Sequence, residues 1–208
     1  MSTSHTIDKI AVYGAPDRIT DALLEALLGK GLQAIVIVDD PTDIAARPGL
    51  SAKSGDLFDA TSVGRSIAGT DAVIAVLSSC QLRAGGDVSG FDRTYDAIIA
   101  LLEGLPMARV ERLMLIGDHG WLDDASELPA EKVEHLQHSL HKSPLAWTLV
   151  DAPGHRSKGS QATAREIDHT AIITLQHYAC SVIDQCLLGT SVNQRIHIDS
   201  RPQAKEAP

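Results

Sequence analysis

A doubly wound α/β fold built on a parallel sheet is what this 208-residue chain predicts, and three features predict it. Apolar runs of strand length alternate with amphipathic segments of helix length. The runs are continuously apolar, as strands covered on both faces are. The first run leads through a single glycine into a helix start, the join that opens a β-α-β unit.

Taken in order, the first strand covers residues 10–13. A helix is expected over residues 18–30, where Ile19, Leu23 and Leu27 recur every four residues as an inward stripe. Gly31 closes it as a C-terminal glycine. Further strands are expected at residues 34–38, 72–77, 113–116 and 147–150, and further helices at 61–68, 95–103, 130–141 and 170–188. Residues 85–90 and 154–161 are rich in glycine and serine and read as loops. One domain is expected over residues 1–200. The segment 201–208, with two prolines and little apolar content, reads as a disordered tail.

Composition narrows the function. Aromatic residues make up only 3%, so the core must be aliphatic. A net charge of −9 supplies no basic field to gather phosphates, which argues against a nucleic-acid partner. No apolar run approaches the roughly 20 residues of a membrane span. Residues 1–5 lack the basic-then-apolar pattern of a secretory signal. Cys80, Cys180 and Cys186 form no C-x-x-C pair and leave an odd thiol, which fits a reducing, cytoplasmic setting.

The chemistry concentrates at the first strand–helix join. A Rossmann-type domain holds a dinucleotide pyrophosphate there, on a pattern such as G-x-x-G-x-x-G or G-x-G-x-x-G. This chain reads Gly14-Ala15-Pro16-Asp17-Arg18-Ile19-Thr20. Gly14 survives; Asp17 and Thr20 stand where the next two glycines would be. Pro16 removes a backbone donor. Asp17 sets a carboxylate beside the seat of a dianion, and two unit charges about 4 Å apart repel by about 4 kcal/mol at an effective dielectric of about 20. Arg18, turned inward, would offset part of this. Asp17 also suits a plainer role as helix N-cap, filling the anion seat with the protein's own carboxylate. Weak dinucleotide binding, or its loss, is expected. Asp39, 25 residues past Gly14, fits either a ribose 2′-hydroxyl contact that favours NAD over NADP or simply the polar turn Asp39-Asp40-Pro41-Thr42.

With the strands laid out, the chain resembles the small atypical short-chain dehydrogenase/reductases. These form the NAD(P)H-binding, NmrA-like group that includes biliverdin-IX-beta/flavin reductases and bacterial NADH-flavin reductases. The likeness rests on Lys9–Gly14, on Gly55-Asp56-Leu57-Phe58-Asp59 against G-D-x-x-D, and on Asp71–Leu77. It rests also on Trp147-Thr148-Leu149-Val150-Asp151-Ala152-Pro153-Gly154 against W-T-x-x-R-P-P-G. More loosely, Ile116-Gly117-Asp118-His119-Gly120-Trp121-Leu122 is similar to V-G-G-A-G-S-L. The resemblance implies a Rossmann-like fold binding NAD(P)H. It places Gly14, Pro16, Asp17, Arg18 and Ile19 at the pyrophosphate, Asp56 and Leu57 near the adenine, and Leu77 and Ser78 near the nicotinamide ribose. Where the group often carries arginine, this chain has Asp39 and Asp151.

At the substrate end, His119 follows the fifth strand and His155 the sixth, and both are expected in the crevice beyond the carboxyl ends of the strands. Either could act as general acid to a reduced substrate, or be a loop histidine making one hydrogen bond. The loop Gly154–Ser160 could close over an anion or simply be solvated; it is not a P-loop, since Ser160 stands where lysine is required. Tyr-x-x-x-Lys is absent, since Asp17, Ile99 and Val182 lie four residues after the tyrosines, and there is no G-x-S-x-G. His135, His138 and His141 fall on the helix face opposite Val133, Leu136 and Leu140, which argues against a metal site. Two functions remain open: a reductase passing hydride from NAD(P)H to a flavin, quinone or similar small-molecule acceptor, and a non-catalytic Rossmann-like binding or regulatory module.

Overall fold

The computed structural model describes residues 6–14, 17–77, 90–123, 125, 128–153 and 167–198. Seven strands form one parallel sheet in the order β3-β2-β1-β4-β5-β6-β7. They are β1 (Lys9–Tyr13), β2 (Gln33–Val38), β3 (Leu50–Ser54), β4 (Ala72–Val76), β5 (Arg112–Gly117), β6 (Ala146–Asp151) and β7 (Gln194–Ile196). The helices are α1 (Arg18–Gly29), α2 (Ala60–Ser66), α3 (Gly90–Met107), α4 (Ala130–Lys142) and α5 (Ile167–Leu188). The fold is the doubly wound, Rossmann-like sheet that the alternation predicts. The chain winds outward from β1 to β3 and then returns to set β4 beside β1. The topological switch therefore lies between β1 and β4.

Successive residues of β1 show the two-sided burial. Ile10 and Val12 pack with Leu23 and Leu27 of α1 and Tyr178 and Val182 of α5. Ala11 and Tyr13 face the other layer, with Val63 of α2, Leu101 of α3 and Val133 of α4. Both layers are aliphatic, as the scarcity of aromatics requires. Among the aromatic exceptions, the buried tyrosines Tyr13 and Tyr178 carry hydrogen bonds. Tyr13 lies 1% exposed, and its hydroxyl meets Ser66 Oγ at 2.7 Å, tying β1 to α2. Burial pushes that phenol up to about 12, so it stays a neutral donor.

The predicted elements are present with shifted ends. α3 begins at Gly90, five residues before the expected start and inside the expected loop, because Phe91 packs on the core. The fourth strand stops at Val76, and Leu77 enters a turn. Neither edge strand belonged to the apolar runs. β3 reads Leu-Ser-Ala-Lys-Ser and β7 only Gln-Arg-Ile; an edge strand is not covered on both faces and needs no continuous apolar run. The expected loop at 154–161 and tail at 201–208 lie outside the described residues.

At the amino end of β5, far from the switch crevice, Arg112 is 6% exposed. Its guanidinium donates to Ala146 O and Thr148 Oγ1 of β6 at 2.7 and 2.8 Å, and to Gln185 O and Cys186 O near the end of α5 at 3.2 and 3.4 Å. These are all neutral acceptors; the carbonyls at a helix C-terminus suit a cation. This cluster anchors α5 to the sheet from below.

Candidate functional site

Gly14 follows β1 at the switch, with φ +125°, a conformation that side chains resist. A Cβ there would stand 2.7 Å from Val76 Cβ and 3.2 Å from Val76 O on β4. The glycine therefore lets two adjacent strands release the chain into α1 at close quarters, as the first fingerprint glycine does. Thr20, at the third glycine position, is fully buried, and its Oγ1 has no hydrogen-bond partner. The helix accepts a side chain there and leaves one polar atom unsatisfied.

Asp17 is the N-cap of α1: its Oδ1 accepts from Ile19 N at 2.8 Å, and its carbonyl accepts from Asp21 N at 2.9 Å. Of the two roles open to this residue, the cap is the one observed. A donor that a bound phosphate would use is already held by the protein's own carboxylate. Arg18 is exposed on the first turn of α1, while Ile19 is half-buried. Pro16 lies outside the described residues.

Around the crevice, Asp39 is exposed just past β2 and its carbonyl accepts from Ser54 Oγ. Asp40 is the residue that makes the turn, capping the 3₁₀ turn Pro41–Asp43 through Thr42 N and Oγ1. That leaves the Asp39 carboxylate without such a task among the described residues. Asp56 closes its own turn on Phe58 N at 2.8 Å. Leu57 and Leu77 are buried at 4% and 5% exposure, so their side chains belong to the core and only their backbone can face a ligand. Ser78 and His155 lie outside the described residues.

His119 departs from expectation. It follows β5, but its ring turns back under the strand end, with no exposed surface, and Nε2 lies 3.1 Å from Leu115 O. A carbonyl only accepts, so Nε2 carries the proton. Nδ1 is then a buried lone pair, and it has no partner. Burial pulls the imidazole below its ordinary value of 6.5, against smaller upward pulls from the Leu115 carbonyl, Asp151 and Asp118 and a downward one from Arg195. The resting ring is neutral and set to accept at Nδ1. We expect a linked pH effect on stability. As pH falls below about 6.5 the unfolded chain binds a proton that the folded ring refuses, so stability drops by up to about 1.4 kcal/mol per pH unit until the folded value is reached. Chemical denaturation between pH 7.5 and 5 will show a slope that His119→Phe reduces; identical slopes would mean the ring is not held neutral.

Sequence reasoning missed the charge cluster beside this histidine. Asp151 accepts from Arg195 Nε at 2.8 Å, and Arg195 Nη1 meets Asp123 at 2.6 Å. The cation beside Asp151 is thus supplied by the neighbouring strand β7. Asp151 also faces His197 at 3.6 Å, and its carbonyl accepts from the Tyr178 hydroxyl at 2.8 Å. The alternation Arg195-Ile196-His197-Ile198 was the available signal for β7. His135, His138 and His141 are exposed on α4, on the face the sequence predicts.

The model of a family described as NAD(P)H-binding matches residues 14–172. Among curated proteins none matches. Among solved structures, the chain is similar to the enzyme WbmH of Bordetella bronchiseptica in complex with NAD+, at 15% identity and a TM-score of 0.63, covering 93% of this chain and 76% of that one. It is similar to a wide-type short-chain dehydrogenase/reductase of Veillonella parvula in complex with NADP, at 12% identity and a TM-score of 0.60, over 95% and 100% of the two chains. It is similar also to ChuY, an anaerobillin reductase of Escherichia coli O157:H7, at 16% and 0.59, over 96% and 100%. At such identities these likenesses establish the fold alone.

Proposed function

We propose, from the premise that this chain belongs to the NAD(P)H-binding family, that it is a reductase of the atypical short-chain dehydrogenase, NmrA-like type that binds NADH weakly. It passes hydride to a flavin, quinone or similar planar acceptor. The observation that supports this best is Gly14, a left-handed glycine packed on Val76 at the switch point. That cradle fits a pyrophosphate once the Asp17 carboxylate gives up the Ile19 N–H. Asp39 would take the adenosine ribose, and with Asp40 would repel a 2′-phosphate. Asp56 and the backbone of Leu57 would lie by the adenine, and Leu77 and Ser78 by the nicotinamide ribose. Bound dinucleotide supplies the hydride; the chain supplies position and exclusion of water. With the His119 proton committed to Leu115 O, His155 is the proposed proton donor. Turnover against pH in His155→Ala tests it, and an unchanged profile removes it.

The Asp17 cap favours a second reading, a non-catalytic module whose phosphate seat the protein fills itself. Calorimetric titration of the native chain and of Asp17→Gly/Thr20→Gly with NADH and NADPH separates the two. We expect native affinity for NADH weaker than low micromolar, NADPH weaker still, and a gain of about tenfold in the double variant, equal to about 1.4 kcal/mol recovered at the helix N-terminus. Glycine in the first turn costs up to about 1 kcal/mol of stability, so a melt comes first. A folded double variant with unimproved affinity supports the module.

A further inference from the structure

Tyr13, the last residue of β1, is buried, and its hydroxyl stands 2.7 Å from Ser66 Oγ on α2. Ser66 Oγ also lies 2.9 and 3.0 Å from the carbonyls of Ser62 and Val63. A carbonyl only accepts, so the serine proton goes to that pair and Tyr13 donates to Ser66. One turn earlier on α2, Ser62 Oγ accepts from Asp56 N at 2.9 Å. Ser62 and Ser66 are four residues apart and share one face of the helix. That face seats the turn that follows β3. Gly55 rests directly on it: a Cβ there would stand 2.6 Å from Ile37 Cγ2 and 2.9 Å from both Ser66 Cβ and Ser66 Oγ. Asp56 is exposed and engages Oδ1 with Phe58 N at 2.8 Å, while Oδ2 takes no hydrogen bond among the described residues. Burial raises the Tyr13 phenol, and the Asp56 carboxylate is near enough to add to the rise. A buried chain of hydroxyls thus joins the end of β1, one residue before the Gly14 junction, to the exposed turn that carries Asp56.

We infer that Tyr13, Ser66 and Ser62 are positioning residues that hold the Asp56 turn at one height, and that this tether makes the turn selective for the base of a bound nucleoside. The inference rests on the reading that places Asp56 by the adenine, and it assigns base selection to residues that touch no ligand. Adenine presents a donating amine beside an accepting ring nitrogen. Hypoxanthine presents the reverse, a carbonyl beside a ring N–H. A carboxylate only accepts. Held at the height of the amine, it pairs with adenine and meets the hypoxanthine carbonyl as a second acceptor. On a loosened turn it can follow the donor to the ring N–H, and the distinction fades. Discrimination between similar ligands comes from groups that cannot move to re-pair, so it depends on the shell that holds them.

Adenosine and inosine test this on the full chain by ligand-observed NMR titration, because they carry neither phosphate nor nicotinamide and differ only on that ring edge. The native chain is expected to bind adenosine about tenfold more tightly than inosine, the worth of one hydrogen bond to a charged group. Tyr13→Phe removes only the hydroxyl, and Ser62→Ala removes the acceptor of Asp56 N. Each brings the ratio to about threefold or less. Ser62→Thr keeps the hydroxyl and the ratio. Gly31→Ala lowers stability without touching the tether and also keeps the ratio, which a merely structural role for the three hydroxyls would not predict to differ. A ratio unchanged in folded Tyr13→Phe or in Ser62→Ala, or one that falls equally in Gly31→Ala, overturns the positioning role. Equal binding of the two nucleosides to the native chain, or binding of neither, overturns the inference outright. Ser62→Ala, at a half-buried position, decides if Tyr13→Phe does not fold. Discrimination that behaves as expected without any NADH binding would sink the reductase reading and leave the tether standing; NADH binding with equal nucleosides does the reverse.

Discussion

Arg112→Ala is expected to destabilise the fold by about 3–5 kcal/mol, from lost charge-assisted hydrogen bonds and a cavity beneath the sheet. The side chain is 6% exposed and joins β6 to the end of α5 through four acceptors. Removing it strands Cys186 O, and it leaves Gln185 O only its bond from Gly189 N and Thr148 Oγ1 only its bond to Ser191 O. Against a typical net stability of roughly 5–15 kcal/mol this is a large fraction, and it should lower the melting temperature by roughly 10 °C. Arg112→Met keeps most of the volume and should recover the cavity part only. Because no carboxylate is among these acceptors, the loss should be nearly independent of salt. A change within ±0.5 kcal/mol by urea denaturation would show that water replaces the guanidinium at no cost.

Gly14→Ala should come next in size and should also reach function. The methyl meets Val76 Cβ at 2.7 Å and Val76 O at 3.2 Å, on a backbone at φ +125°. Strain of about 1–3 kcal/mol and overpacking of a similar size sum to on the order of 2–6 kcal/mol. Gly31→Ala is the control. It shares a positive φ of +77° but meets nothing within 4 Å, so it pays for conformation alone, about 1 kcal/mol. Urea denaturation should separate the two variants by at least about 1 kcal/mol. NADH calorimetry below the melting transition should show binding lost in Gly14→Ala and kept in Gly31→Ala. Equal stability in both would mean that β4 yields to the methyl, and the tight junction would then not define the site.

How much of this could be read from the chain differs from residue to residue. The sheet interior was plain, since β1, β2, β4 and β5 must be apolar on both faces and, apart from Lys9, Gln33 and Arg112 at their first positions, their residues are. The Asp17 cap was readable too, because aspartate ahead of an apolar helical stripe satisfies a local donor and needs no distant partner. The retained Gly14 pointed to the correct junction, since the conformation it permits belongs to the residue itself. The edge strands gave no such signal: β7 escaped notice and β3 entered only through the strand count that the resemblance implied, because both are covered less and partial burial leaves no continuous apolar signature.

The surroundings of His119 and Asp151 at the carboxyl ends of β5 and β6 were decided by tertiary structure. Nothing local shows that His119 folds back onto Leu115 O, or that the cation beside Asp151 arrives from Arg195, 44 residues away. An imidazole's burial, tautomer and charge depend on which strand end it meets, and an arginine's role depends on which strand becomes its neighbour. The sequence by itself determined the α/β alternation, the junction at Gly14 and the capping of α1, because these follow from periodicity and short-range hydrogen bonding. Only the assembled sheet, in the order β3-β2-β1-β4-β5-β6-β7, decided which polar atoms are satisfied and which are left without a partner, because that depends on contacts between residues remote in the chain.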